Sequence, residues 1–72
     1  MNSKMLRSVM ILNGDTNLTL AEALGIHPAT LSAKLNGTNG AEFTQGEMSV
    51  IRDRYRLEDH QFVDIFFDDL VS

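Results

Sequence analysis

The apolar residues of this chain recur at helical spacing in five short stretches, and turn-forming residues separate these stretches. The pattern predicts an all-α domain of four or five helices. The first helix is expected over residues 4–12, with Ser3 as the cap. Met5, Val9 and Leu12 lie on its inner face, and Leu6 and Met10 flank that face. The fourth and fifth helices are expected over residues 45–55 and 58–66. The end of the last stretch, at residues 65–67, also fits an extended segment.

The central stretch, residues 19–37, predicts two short helices joined by a tight turn. Thr19 and Glu22 have the spacing of a capping box, so the first of these helices is expected to begin after Thr19. Gly25 follows its last apolar residue, where a left-handed conformation ends many helices. His27 is then expected to cap the second helix.

The two central helices are too short to be stable alone, and they must cross steeply. Such a crossing requires a small residue at the contact, and Ala21 supplies it. Ile26 fills the turn, while Leu31 and Leu35 face the core. A helix pair with a three-residue turn is typical of the helix-turn-helix, whose second helix can enter the DNA major groove. An ordinary helical hairpin in a small bundle is the alternative.

A second capping box, formed by Thr44 and Glu47, predicts the start of the fourth helix. Phe43 before the cap and Met48 after it fit a hydrophobic staple. The predicted core gathers the inner residues of all these helices: Leu20, Leu24, Ile26, Leu31, Leu35, Met48, Ile51 and Phe62.

Length and composition change this picture little. A chain of 72 residues with 43% apolar residues suits one compact domain. It contains no cysteine, which excludes disulfides and cysteine-based zinc sites. No apolar run approaches membrane-spanning length, and the N-terminal stretch does not have the form of a signal peptide. We therefore expect a cytoplasmic protein.

Charge argues against simple DNA binding. The net charge is −4, and the acidic residues are concentrated after residue 41, whereas DNA-binding domains are usually basic. Three arginines, Arg52, Arg54 and Arg56, lie at the end of the predicted fourth helix and just after it, interspersed with Asp53 and on several faces. Local ion pairs on a solvated helix surface explain them better than a phosphate site does.

No catalytic or metal-binding pattern is present in the sequence. No nucleophile has a basic partner nearby, and no glycine-rich phosphate loop occurs. His60 and Asp64 have helical spacing, but two ligands alone make a weak metal site. We therefore expect neither an enzyme nor a cofactor.

The exposed side of the second central helix is the candidate binding surface. Its residues are Pro28, Ala29, Ser32, Ala33 and Asn36, with Thr30 and Lys34 at the edges and Thr38, Asn39 and Glu42 in the loop that follows. Base readout commonly uses Arg, Lys, Gln or Asn, and phosphate contacts need Lys or Arg. Only Asn36 and Lys34 qualify. A shallow, nearly neutral surface of this kind favours packing against another protein.

The segment LAEALGIHPATLSAKLNG resembles the helix-turn-helix of Cro/repressor-type regulators of bacteria and temperate phages. The continuation, with a Gly/Asn loop, EFT before a helix and then RYRL and IFF, is similar to small phage regulators of Gram-positive hosts. Length and sequence are closest to the modulator-of-repression proteins, the antirepressors of lactococcal temperate phages. The resemblance covers nearly the whole chain and implies a lambda-repressor-like fold. Ala33 stands where these regulators often have Arg, and Pro28 and Ala29 replace polar readers.

The resemblance implies a gene-switch protein that binds the helix-turn-helix domain of the phage main repressor and alters its operator occupancy. The acidic charge fits this role, because a repressor's DNA-binding face is basic. A Cro-like dimer that binds operators directly is the alternative, with Lys4, Arg7 and Lys34 on phosphates and residues 65–72 as the dimer contact. A co-repressor that binds DNA together with the repressor is a third reading.

Overall fold

The computed structural model describes residues 1–68, and this part of the chain contains five α-helices and no strand. The helices are α1 (Ser3–Leu12), α2 (Asn17–Leu24), α3 (Pro28–Asn36), α4 (Gln45–Tyr55) and α5 (Asp59–Phe66). A single 3-10 turn, Thr38–Gly40, follows α3. The all-α prediction is therefore confirmed. Of the expected C-terminal contact segment, residues 69–72 lie outside the described residues.

Helix α1 packs the predicted Met5 and Val9 against the core but buries Leu6 and Met10 more deeply. Asn2, not Ser3, caps the helix, and its Oδ1 accepts a hydrogen bond of 3.1 Å from the Met5 N–H. Leu6 and Met10 are buried, whereas Leu12 is 85% exposed. Leu12 lies two residues beyond Met10, which places it about 200° around the helix from the buried stripe. The prediction that Leu12 faces the core was wrong.

Helix α2 begins earlier than predicted, at Asn17. Thr16 is its N-cap, and a capping box joins Thr16 to Thr19. The Thr16 N–H donates to Thr19 Oγ1 at 2.9 Å, and the Thr19 N–H donates to Thr16 Oγ1 at 3.3 Å. The Thr19 hydroxyl also donates to Asp15 at 2.8 Å. Thr19 is therefore the third residue of the helix rather than its cap, and the predicted pairing with Glu22 was wrong.

The junction between α2 and α3 matches the prediction. Gly25 adopts the left-handed conformation with φ of 70°, and the Ile26 N–H donates to the Ala21 carbonyl at 3.0 Å. His27 Nδ1 accepts from the Ala29 N–H at 3.1 Å and so caps α3. Ala21 is fully buried, as expected of a small residue where two helices meet.

Helix α4 has the predicted bounds and the predicted cap. The Glu47 N–H donates to Thr44 Oγ1 at 3.1 Å, and Glu47 Oε1 accepts from the Thr44 N–H at 2.9 Å. Phe43, before the cap, is buried, and Met48 packs against the core. Both capping-box bonds satisfy backbone donors that the helix itself leaves free.

The core joins all five helices. Four predicted core residues, Leu20, Leu31, Leu35 and Ile51, are buried, and the other four are half-buried against them. The core also contains residues outside the predicted set: Leu6, Met10, Ala21, Phe43, Tyr55, Leu57, Ile65 and Phe66.

Helix α5 continues through Phe66, so the extended alternative for its end was wrong. Phe66 contacts Phe43 edge-on at 5.9 Å between ring centroids and lies 5.1 Å from the Phe62 ring. The Asn2 N–H donates to the Ile65 carbonyl at 2.7 Å, which joins the first residues to the last helix. Within residues 1–68, no helix is long and apolar enough to cross a membrane.

Candidate functional site

The outer side of α3 and the turn after it form the candidate site. Leu31 and Leu35 anchor α3 in the core, so the intervening residues turn outward. Ala29, Thr30 and Asn36 are exposed, as are the loop residues Thr38, Asn39 and Glu42, whereas Pro28, Ser32, Ala33 and Lys34 are half-buried. We call Ala29, Thr30, Ala33 and Asn36 the α3 face. Apart from Asn36 and the threonine hydroxyl, this face is made of alanine methyl groups.

The one cation of α3 is bound within the fold. Lys34 Nζ lies 2.5 Å from Glu47 Oε1, and the two side chains are only 14% and 13% exposed. The ammonium group also lies 6.0 Å from the centre of the Phe43 ring. Burial alone would raise the pKa of Glu47, but hydrogen bonds from Lys34 and Thr44 lower that pKa below its usual value. Lys34 therefore faces α4 rather than the edge of the α3 face.

Two other polar residues of α3 are also hydrogen-bonded inside the chain. Asn17 Nδ2 donates to Ser32 Oγ at 3.1 Å, and Arg7 Nη2 donates to Asn36 Oδ1 at 2.7 Å. The second contact places a cation from α1 beside the C-terminal end of α3. Sequence reasoning missed this contact, since Arg7 and Asn36 are 29 residues apart and no local pattern joins them.

A groove of about 470 Å³ adjoins the C-terminal end of the α3 face. We call it the α3 groove. Its apolar lining comes from Leu35, Phe43, Met48, Phe66 and Phe67, and Lys34, Asn36 and Glu42 supply polar groups. The predicted loop residue Glu42 thus lies beside a concave surface. The sequence did not predict the groove, because it forms only where the end of α5 meets the loop after α3.

A second polar cluster connects the α1–α2 loop to α4. Asp15 accepts hydrogen bonds from Arg54 Nε and Nη2, both at 2.7 Å, and from Tyr55 Oη at 2.6 Å. The Thr19 hydroxyl donates to the same carboxylate. These hydrogen bonds, from Arg54 above all, hold the pKa of Asp15 well below its usual value. The prediction of local ion pairs was wrong for Arg54, whose partner is 39 residues away.

Arg52 does form a short-range pair, with Asp59 at the start of α5, and its guanidinium lies 5.2 Å from the centre of the Phe62 ring. His60 Nδ1 lies 3.5 Å from Glu58 Oε2. Within the described residues, no three His, Cys, Asp or Glu side chains gather in a way that could hold a metal ion. These contacts stabilise the surface between α4 and α5, away from the α3 face.

Comparison of the chain with protein-family models, with curated proteins and with solved structures finds no match. The chemistry of the α3 face and the α3 groove therefore carries the functional conclusion. Both surfaces are suited to non-covalent contact, since most side chains around them are small or apolar, and Lys34 and Asn36 are already paired.

Proposed function

We propose that this chain regulates the genetic switch of a temperate phage as an antirepressor, a modulator of repression. It binds the DNA-binding domain of the phage main repressor and changes how that repressor occupies its operators in the bacterial cytoplasm. The contact uses the α3 face and the α3 groove. In this proposal the domain is lambda-repressor-like, and α2 and α3 are its helix-turn-helix.

The junction between α2 and α3 supports the helix-turn-helix part of the proposal. The connection between the helices is three residues long, residues 25–27, and its first residue is a left-handed glycine. Ala21 is fully buried, and Ile26 packs against the core. A short turn with a glycine and a small contact residue is typical of the motif.

The pairing of Lys34 with Glu47 is the observation that carries the choice of partner. DNA affinity comes largely from Lys and Arg on phosphates, and the only such residue of α3 is already bound by a carboxylate. The α3 face itself offers two alanines, one threonine and an asparagine that already accepts from Arg7. A small, uncharged surface beside an apolar groove fits another protein better than it fits a phosphate backbone.

The charge of the chain supports a basic partner. The net charge is −4, and Glu22 and Glu42 are exposed on α2 and beside the α3 groove. A repressor that binds operators presents a basic surface, so the two proteins attract each other before they touch. We therefore expect repressor binding to weaken as ionic strength rises.

One observation favours the Cro-like alternative. Arg7 lies against Asn36 at the C-terminal end of α3, and a second cation, the exposed Lys4, is one turn earlier on α1. If these residues bind phosphates, the protein alone would bind operator DNA. The logarithm of its affinity would then fall by roughly 0.9 per phosphate contacted for each unit of log salt. A co-repressor would combine these cations with the α3 face.

A gel-shift titration on the phage switch region separates these functions. It compares this protein alone, the cognate repressor alone and the mixture of both. We expect no shift with this protein alone and loss of the repressor–operator complex when it is added. A shift by this protein alone contradicts the antirepressor and identifies a Cro-like protein, whereas a larger complex formed only by the mixture identifies a co-repressor.

A pair of variants then locates the contact. Ala29→Trp places a large side chain on the exposed α3 face, and Ser49→Trp places the same side chain on the exposed surface of α4. We expect Ala29→Trp to weaken repressor binding at least tenfold through steric overlap, while Ser49→Trp leaves it unchanged. Equal affinities for both variants would contradict a contact through α3.

A further inference from the structure

The end of α1 and the start of α2 expose the most apolar surface of the described residues. Leu12 is 85% exposed, Ile11 75% and Leu18 57%, whereas every other exposed large apolar side chain in residues 1–68 is below 40%. We call residues 8–19 the α1–α2 junction. None of these three side chains belongs to the core formed by residues 1–68. Grouped exposed apolar residues often mark a contact site.

The α1–α2 junction is also nearly free of charge. Its only charged residue is Asp15, whose side chain is 7% exposed and bound by Arg54. In contrast, α2, α4 and α5 each carry an exposed carboxylate, at Glu22, Asp53 and Asp59. The junction is therefore an uncharged apolar area on a chain with a net charge of −4.

From these two observations we infer that the α1–α2 junction is the contact between two copies of this chain. In a two-fold dimer the same surface faces itself, so any unpaired carboxylate there would repel its own copy. Two chains of charge −4 repel each other least where neither exposes a carboxylate, and the junction meets that condition because its one carboxylate, Asp15, is bound by Arg54.

The shape of the junction also suits a self-contact. A hollow of about 220 Å³ lies beside Ile11 and is lined in addition by Arg7, Met10, Asp15, Thr16 and Asn17. The protruding Leu12 and Leu18 are close to this hollow in the chain. In a two-fold arrangement, the protruding side chains of each copy can fill the hollow of the other copy. The two charged residues that line the hollow, Arg7 and Asp15, have opposite charges, and each is hydrogen-bonded within its own chain. The hollow therefore carries no net charge that would repel a second copy.

The size of the junction predicts a weak dimer. Stable specific interfaces bury roughly 800 Å² on each partner, and three side chains cover less than that. We expect a dissociation constant on the order of 100 μM. Because the contact is apolar and the two chains repel each other at long range, added salt should strengthen the dimer slightly. Repressor binding, by contrast, should weaken with salt.

Sedimentation velocity of the full chain, from about 5 μM to about 500 μM, measures the dimer directly. Leu12→Glu should weaken the dimer at least about a hundredfold, since two leucines are lost per dimer and each contributes a factor of ten or more. Val50→Glu is the matched control, because it adds the same charge at an exposed apolar residue of α4. It should leave the dimer unchanged apart from a small effect of net charge.

A second variant, Leu12→Ser, removes the apolar surface without adding a charge and should also weaken the dimer. Since Leu12 is the exposed last residue of α1, all three variants should keep the helical circular dichroism and unfolding midpoint of the wild type. A wild-type chain that stays monomeric at about 500 μM overturns the inference, as does a Leu12→Glu chain that dimerises like the wild type.

The dimer measurement contains no repressor, so its failure is distinct from failure of the proposed antirepressor function. A monomeric wild type whose repressor binding is nonetheless lost in Leu12→Glu would assign the junction to the repressor contact and overturn the self-contact. A dimer that dissociates as salt rises would also contradict it, because an apolar contact between like-charged chains does not behave in that way.

Discussion

Lys34 and Glu47 form an ion pair of 2.5 Å between the last turn of α3 and the first turn of α4, and both side chains are largely buried. The same Glu47 carboxylate accepts the Thr44 N–H in the capping box of α4. One carboxylate therefore completes a helix cap and binds the only cation of α3. This arrangement stabilises the fold and leaves α3 without a free positive charge.

A double-mutant cycle should assign a measurable coupling energy to this pair. Lys34→Met removes the ammonium group, and Glu47→Gln removes the charge while keeping a side chain that can complete the capping box. We expect a coupling of about 1–2 kcal/mol in the free energy of unfolding, because the hydrogen bond is charged and shielded from water. Urea unfolding of the wild type, both single variants and the double variant measures it.

The Arg52–Asp59 pair is the internal control for this cycle. Its side chains are largely exposed, so the same cycle with Arg52→Met and Asp59→Asn should give a coupling below about 0.5 kcal/mol. Equal coupling energies in both cycles would show that burial of the Lys34–Glu47 pair has no energetic consequence, against our expectation.

Asp15 should be the carboxylate whose loss destabilises the domain most. It accepts from Arg54, Tyr55 and Thr19 and thereby connects the α1–α2 loop to α4. Asp15→Asn keeps the shape but removes the charge that Arg54 neutralises, which should cost about 2–3 kcal/mol of unfolding free energy. Asp53→Asn, at an exposed carboxylate of α4, should change stability by less than about 0.5 kcal/mol. Similar urea midpoints for the two variants would contradict a structural role for the Asp15 cluster.

Stability should fall in acid because of the same carboxylate. The hydrogen bonds from Arg54, together with those from Tyr55 and Thr19, lower the pKa of Asp15 in the folded state, whereas the unfolded chain keeps a pKa near 3.9. Between these values the unfolded state binds more protons, so stability is fully present above about pH 4 and is lost as the pH falls further. The unfolding free energy of Asp15→Asn should therefore depend less on pH below about pH 4 than that of the wild type.

Glu47 contributes to the same acid loss, since its pKa is also lowered in the folded state. Consequently Asp15→Asn should retain part of the acid sensitivity, and adding Glu47→Gln should remove most of the rest. Unfolding curves at neutral pH and at about pH 3 test both steps. An unchanged acid slope in the double variant would mean that other carboxylates cause the loss.

The local features of this fold could be predicted from the sequence. The cap and bounds of α4 follow from Thr44 and Glu47, which are three residues apart, and the end of α2 follows from Gly25. Outward-facing α3 residues such as Ala29 could be predicted from the spacing of the two core leucines. In each case the pattern and the structure it determines lie within one helical turn.

Features that depend on distant contacts could not be predicted. Helix α2 begins after Thr16 rather than Thr19. The Thr19 hydroxyl instead donates to Asp15, which Arg54 of α4 also binds. The partners of Lys34 and Arg7 are 13 and 29 residues away in the sequence. No local spacing therefore predicts whether these two cations are free to bind a ligand. The free charge of the candidate site could therefore be determined only from the structure.

Replacing Gly25, at the end of α2, with alanine should destabilise the domain, whereas the same replacement of Gly46, at the start of α4, should stabilise it. Gly25 ends α2 with φ of 70°, and a Cβ there would meet no atom within 4 Å, so Gly25→Ala costs only the left-handed backbone conformation, about 1–2 kcal/mol. Gly46 lies in the first turn of α4 with ordinary helical geometry, and a Cβ there would be 3.9 Å from Thr44 Oγ1. Gly46→Ala should therefore stabilise the domain by about 0.5–1 kcal/mol. Thermal unfolding of the two variants measures both effects, and a stabilising Gly25→Ala would contradict the left-handed turn on which the α2–α3 junction depends.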